Sequence, residues 1–226
     1  MTLITSMNRP FVLINGAMSA DGKISSYLRR QVRISCQDDL ARVDSLRARC
    51  DAIMVGVGTV LADDPSLTVK GSILREGRAR QGRPENPLRV VADSLARTPA
   101  NARVLGPGCL LAVSGAAPAE RVANLARHCQ IAAFGQRKVD LPQLLDDLYL
   151  KGIQHLLVEG GATLNWSLLK EGLVDELQVF LGPMIIGGKD APTLVDGDGF
   201  EDGFIRLELA SMERIGDGAL LIWRPS

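Results

Sequence analysis

The sequence predicts an α/β protein: a mostly parallel central sheet, helices on both faces, and an antiparallel C-terminal hairpin. Three observations predict this. Short apolar runs alternate with segments of helical period from Phe11 to Leu181, the pattern of strands joined by crossover helices. The last two apolar runs flank Gly216-Asp217-Gly218, as strands of a hairpin do. Hydrophobic residues make up 46% of the chain and aromatic residues only 4%, so the core is aliphatic.

The elements follow in order. Phe11 to Ala17 reads as a strand. Ser35 reads as an N-cap, with Asp38 three residues on, opening a helix through Leu40, Val43 and Leu46. Asp51 to Val57 is a buried strand ended by glycines, and Leu88 to Ala92 and Cys109 to Val113 are two more. From Ala119 to Cys129, Val122, Leu125, Ala126 and Cys129 share one helix face. Ile131 to Phe134 is a strand. Pro142 to Lys151 is a helix with proline near its start and Gly152 at its end. Ile153 to Val158 is a strand, Thr163 to Lys170 a helix closed by Gly172, and Glu176 to Leu181 a strand. Ile205 to Met212 and Ala219 to Trp223 form the hairpin. Lys70 to Asn86, with Arg75, Arg78, Arg80 and Arg83, reads as a mobile surface loop with solvated arginines.

Composition excludes several function classes. Lysine plus arginine equals aspartate plus glutamate, 26 each, which argues against a nucleic-acid binder or a polybasic membrane anchor. No apolar run reaches the roughly 18 residues of a membrane span. Met1 to Pro10 lacks a basic region followed by an apolar one, so no signal peptide is expected. Cys36, Cys50, Cys109 and Cys129 are widely spaced, without a C-x-x-C pair. They read as buried thiols of a cytoplasmic protein, with no zinc site expected. The length, 226 residues, allows one large domain or two small ones.

Two glycine turns stand out. Gly56-Val57-Gly58-Thr59 follows a strand. There Thr59 either caps a short helix, Val60 to Ala62, or meets a phosphate at its start, with Asp63 close behind. Val158-Glu159-Gly160-Gly161-Ala162-Thr163-Leu164 joins a buried strand to a helix. Ligands of open α/β sheets sit beyond the carboxyl ends of strands. Free N–H groups at a helix start suit a pyrophosphate, and Glu159 is a carboxylate in the same crevice. The bland reading of this turn is a surface N-cap. Asp21-Gly22 reads first as a turn, and Arg33 and Arg47, taken singly, as solvated arginines that can also meet a phosphate. His128 and His155 read as structural. The chain has no G-x-S-x-G, P-loop or paired-carboxylate signature. A nucleotide-shaped crevice without a nucleophile fits hydride transfer, where the cofactor carries the chemistry.

These segments resemble one family. Ser19-Ala20-Asp21-Gly22-Lys23, Leu46-Arg47-Ala48, Ile53 to Pro65 with Leu67-Thr68-Val69, Asn86 to Val91 with Asp93-Ser94, Glu159 to Asn165, and Pro183 to Gly188 are similar to the riboflavin-biosynthesis reductases, which have a dihydrofolate-reductase-like fold. The likeness runs through nearly the whole chain, so residues 1–226 are expected to form a single reductase domain. It is closest to the stand-alone archaeal and fungal type, which reduces 2,5-diamino-6-ribosylamino-pyrimidinone 5′-phosphate.

The resemblance implies roles by position. Ala17, Thr59, Asp63, Ser94, Gly160, Gly161, Ala162, Thr163 and Leu164 fall on cofactor-binding positions. Gln31, Arg47, Leu67, Lys70 and Glu159 fall on substrate positions, with Glu159 the catalytic candidate. Lys70 stands where bacterial members often have arginine, and Arg33 where they have an aromatic residue. The cofactor implied is NADPH, with NADH possible, and the expected assembly a homodimer. The chain lacks the H-x-E and P-C-x-x-C of the bacterial deaminase domain. Competing readings are a reductase for the deaminated uracil substrate, a pterin or dihydrofolate-type reductase, and a non-catalytic nucleotide-binding protein.

Overall fold

The computed structural model describes residues 8–226; the reading of Met1 to Pro10 falls mostly outside them. Nine strands form one sheet: β1 (Phe11–Ser19), β2 (Ala52–Gly56), β3 (Leu88–Ala92), β4 (Cys109–Val113), β5 (Gln130–Ala133), β6 (His155–Val158), β7 (Glu176–Gly182), β8 (Leu207–Ile215) and β9 (Gly218–Pro225). Their spatial order is β5-β4-β3-β2-β6-β1-β7-β9-β8. The first seven run parallel. β9 lies antiparallel to both β7 and β8, as the hairpin pattern predicts. The helices are α1 (Gln37–Arg49), α2 (Val57–Asp63), α3 (Ser72–Arg80), α4 (Ala119–Leu125), α5 (Leu141–Leu150) and α6 (Ala162–Lys170).

Strand sequence explains why both faces are covered. Successive side chains on a strand point to opposite faces. Val12, Met54 and Leu110 pack with α5 and α6 through Leu144 and Leu168. Their neighbours Leu13, Ile53 and Leu111 pack on the other face with Leu46 of α1, Val60 of α2 and Leu125 of α4. A strand buried on both sides must read as a continuous apolar run, and these do. Leu144, Leu145 and Leu148 of α5 are wholly buried, and replacing one by alanine costs about 2–5 kcal/mol.

Several local expectations are corrected. The N-cap of α1 is Cys36 rather than Ser35, without a side-chain cap bond. Asp38 and Asp39 instead place negative charge in the first turn, where the helix dipole favours it. Asp39 is buried and accepts from Arg42 Nε at 2.8 Å. Arg42 also donates to Asn15 Oδ1 and Gln178 Oε1, 2.7 Å each, locking α1 across the paired residues of β1 and β7. α2 begins at Val57, so Thr59 lies inside its first turn instead of capping it. α4 ends at Leu125, before the Cys129 that periodicity includes.

The largest correction is at Lys70 to Asn86, which contains helix α3. Arg78 there is buried, at 3% exposure. Its Nη1 donates to Ala48 O at 2.9 Å and Cys50 O at 2.7 Å, and its Nε to Pro84 O at 2.7 Å. A helix leaves its last carbonyls without intrahelical partners; Arg78 and Arg83, which donates to Arg49 O and Ala48 O, take those at the end of α1.

Candidate active site

The glycine turns predicted from sequence meet at the carboxyl ends of adjacent strands. β6 lies between β2 and β1, so the turn after β6 is held against the turn after β2. Glu159 N donates to Met54 O at 2.9 Å and Gly56 N to Gly160 O at 2.8 Å. Gly160 has φ +88° and the Gly160–Gly161 peptide is cis. Gly161 is the N-cap of α6. A Cβ added to it would stand 3.0 Å from Thr59 Oγ1, closer than almost any side chain tolerates. Thr59 and the start of α6 therefore form one narrow cradle, floored by backbone. Leu164 packs its side chain under the turn, facing Gly56, so its N–H is the group it offers. Ala162 is buried and Thr163 exposed. Asp63, in the last turn of α2, is half-buried, and burial raises its carboxyl pKa.

Glu159 and Arg47 form the polar centre. Arg47 Nε and Nη2 donate to the two carboxylate oxygens of Glu159, both at 2.7 Å. Their side chains are 18% and 13% exposed. Burial works against the Arg47 charge, but the bonds to Glu159 and its charge outweigh it and raise the guanidinium pKa. Arg47 Nη1 also donates to Thr68 O at 3.2 Å. Lys70 Nζ donates to Ser66 Oγ at 2.6 Å and Thr68 Oγ1 at 2.9 Å. Partial burial, then the positive Arg47 and Arg103, pull the Lys70 pKa down. A segment carrying this much positive charge and hydroxyl is suited to a phosphate. Asp44 of α1 holds it in place, accepting from Lys70 N and Gly71 N at 2.7 Å.

The remaining predicted residues are less direct. Leu67 is buried at 2% with φ +48°; its side chain belongs to the core, leaving only its backbone toward a ligand. Ala17 sits in β1 opposite Phe180 of β7. Ser94 follows β3; its hydroxyl accepts from Val139 N at 3.0 Å, and its carbonyl from Ser114. Gln31 is exposed on the β1–α1 connection, and no hydrogen bond joins it to the other site residues among the described residues. Asp21 is a structural turn. It accepts from Ser19 Oγ, Ile186 N and Gly187 N, which lower its carboxyl pKa to about 2.

Residues missed by sequence reasoning are Asp44, Ser66, Thr68 and Arg103 around Lys70. Arg97 and Arg121, which the sequence reading does not single out, line a cavity of about 350 Å³ with Thr98 and Asn124. Ser66, Thr68 and Lys70 meet through side-chain hydrogen bonds in a turn where Leu67 takes φ +48°, an irregular geometry that carries no period in the sequence.

Comparison with known proteins agrees with this architecture. Residues 10–221 match the RibD C-terminal domain family. The chain is 50% identical over 212 residues to the 2,5-diamino-6-ribosylamino-4(3H)-pyrimidinone 5′-phosphate reductase of Archaeoglobus fulgidus, covering 93% of this chain and 95% of that protein. It is 48% identical over 217 residues to the protein of the same name from Methanothermobacter thermautotrophicus, covering 94% and 97%. In fold it is similar to the Acinetobacter baumannii RibD, with TM-score 0.80 at 23% identity, covering 98% of this chain and 59% of that longer one. The chain belongs to the RibD C-terminal domain family, and it is an oxidoreductase of the riboflavin-biosynthesis reductases.

Proposed function

We propose that the chain is a single-domain, cytoplasmic reductase that converts the ribosylamino side chain of 2,5-diamino-6-ribosylamino-pyrimidinone 5′-phosphate to the ribitylamino form, using NADPH. The observation that carries this reading is the Arg47–Glu159 pair. It lies between a glycine cradle suited to a dinucleotide and a lysine–hydroxyl cluster suited to a phosphate. The two archaeal relatives named for this reaction cover nearly all of the chain.

The cradle fits a nicotinamide dinucleotide: a Cβ at Gly161 would crowd Thr59 Oγ1 at 3.0 Å, and helix-start N–H groups favour pyrophosphate. Gly160, Gly161, Ala162, Thr163 and Leu164 hold the phosphates by backbone, with Thr59, Asp63 and Ser94 along the same crevice and Ala17 at its β1 side. When bound, NADPH supplies the hydride. Arg97 and Arg121 line the cavity beyond Ser94, and two guanidinium groups there favour the additional 2′-phosphate of NADPH over NADH.

The chain's own residues fix the substrate. Lys70, with Ser66 and Thr68, takes the 5′-phosphate. Glu159, oriented bidentately by Arg47, accepts hydrogen bonds from the sugar hydroxyls beside C1′. The ring-opened imine is already electrophilic, so geometry supplies most of the rate. Leu67 contributes backbone contacts and Gln31 closes the outer rim. A second copy of the chain covers β8, which is exposed from Leu207 to Arg214 and is an edge strand, giving a homodimer.

The deciding experiment follows NADPH oxidation with three substrates: the diamino-pyrimidinone phosphate, its deaminated uracil counterpart and dihydrofolate. The expected order of kcat/KM places the diamino compound first. A clear preference for either of the others would overturn the assignment.

A further inference from the structure

Cys109 and Cys129 are the structure's unused reactive groups. Leu110 of β4 pairs with Gln130 of β5, so the residues just before them, Cys109 and Cys129, stand abreast on parallel chains. Both side chains join the same core face, so they point the same way. Paired residues on neighbouring strands lie about 4.8 Å apart, inside the roughly 4.4–6.8 Å range of Cα separations that a disulfide spans. Cys109 is buried at 2%, while Cys129 is only partly buried. Both line a cavity of about 380 Å³, with Arg127 and His128 on its rim. Cys129 is therefore the more accessible of the two.

The chemistry of the pair is asymmetric. The neighbouring Cys129 sulfur, with burial, raises the Cys109 pKa. Cys109 in turn lowers the pKa of Cys129, whose Sγ lies 3.7 Å from Leu125 O, against its burial and helped by the Arg89 charge. Thiolate character is what reacts with peroxides.

We propose that Cys129 and Cys109 form a hydroperoxide-reactive pair that closes into a reversible disulfide between β4 and the edge strand β5. The Cys129 thiolate attacks the terminal peroxide oxygen; the O–O bond breaks, and the leaving alkoxide takes a proton to become an alcohol. Cys129 is then a sulfenic acid. The Cys109 sulfur attacks the Cys129 sulfur, the S–O bond breaks, and water leaves with the Cys109 proton. Two thiols lose two electrons, and the hydroperoxide gains them. The bond forms at the amino ends of β4 and β5, away from the carboxyl ends that carry the reductase site.

Hydrogen peroxide is the probe. The full chain is treated with it and followed by intact mass, thiol titration and peptide mapping. The expected result is a loss of about 2 Da, disappearance of half of the four thiols, and a Cys109–Cys129 linked peptide, all reversed by dithiothreitol. Cys109→Ala should instead leave Cys129 carrying added oxygen, about 16 or 32 Da. The proposal is overturned by oxygen addition to Cys129 in the wild-type chain without the linked peptide, by links to Cys36 or Cys50, or by four thiols that persist. None of these readouts depends on the reductase activity.

Discussion

Arg47 on α1 and Glu159 at the end of β6 meet through two parallel hydrogen bonds of 2.7 Å, across 112 residues of sequence. The fork of a guanidinium matches a carboxylate in a way an ammonium cannot. Both Glu159 oxygens are thereby held toward Arg47 in a fixed direction.

Glu159→Gln is expected to lower kcat by about 10–100-fold, since a charge-assisted hydrogen bond contributes roughly 1.5–3 kcal/mol. Cofactor affinity should change little. Arg47→Ala should mainly raise the substrate KM, by a similar factor. Because each residue orients the other, the double variant should lose less than the two single losses combined. Steady-state kinetics on the four proteins checks this; wild-type kcat/KM in both single variants would make the pair purely structural.

Gly161→Val tests the cradle. The first atom of any side chain at 161 falls 3.0 Å from Thr59 Oγ1, in the space assigned to the dinucleotide backbone. NADPH affinity, measured by fluorescence titration, should fall at least about 10-fold, while the thermal transition stays cooperative. Unchanged affinity in a folded protein would remove the phosphate assignment from this turn.

The proposed choice of NADPH over NADH is tested at Arg97 and Arg121. Arg97→Ala and Arg121→Ala should each weaken NADPH binding by roughly 10-fold or more, the worth of a charged hydrogen bond, and leave NADH binding where it was. A parallel loss for both cofactors would place the 2′-phosphate elsewhere.

Arg78→Met should destabilise without touching the chemistry. It removes three donors from carbonyls at the end of α1 and beside Pro84. At about 1–3 kcal/mol for leaving buried groups unpaired, and roughly 2–4 °C of melting temperature per kcal/mol in a chain this size, a drop of about 2–12 °C is expected in calorimetry. The substrate KM should hold.

Assembly is read from β8. Leu209 is 50% exposed and Met212 70% exposed on an unpaired edge. Sedimentation at micromolar concentration should give a dimer, and Met212→Lys should shift it toward monomer. A wild-type monomer would contradict the pairing.

What was legible in the sequence was local. The turn after β6 announces itself because strand, acid, double glycine and helix are consecutive. The strands announce themselves because two-sided burial demands unbroken apolar runs. Arg78 was misread as solvated because its partners, Ala48 O and Cys50 O, belong to a helix end that only the tertiary fold brings near. Of the two readings of Thr59, cap or phosphate contact, the cap fails because α2 starts at Val57, three residues before the expected Val60. Arg47, taken singly, reads as a surface arginine and gains its substrate position only from the resemblance, because its partner Glu159 is brought opposite it by the return of β6; the Cys109–Cys129 juxtaposition likewise exists only through strand register.

The placement of β6 also governs the order of folding. It is the sixth strand made, yet it sits between the first two, pairing Ile14 with Val158 and Met54 with the same residue. Those contacts span more than a hundred residues, and long-range pairings are entropically late events. During synthesis β1 and β2 must wait with a strand-wide gap between them, each showing an unpaired apolar edge until β6 emerges. Insertion of that one strand closes the sheet and delivers Glu159, Gly160 and Gly161 together, so a nascent chain ending before His155 has neither a continuous sheet nor the carboxylate that pairs with Arg47.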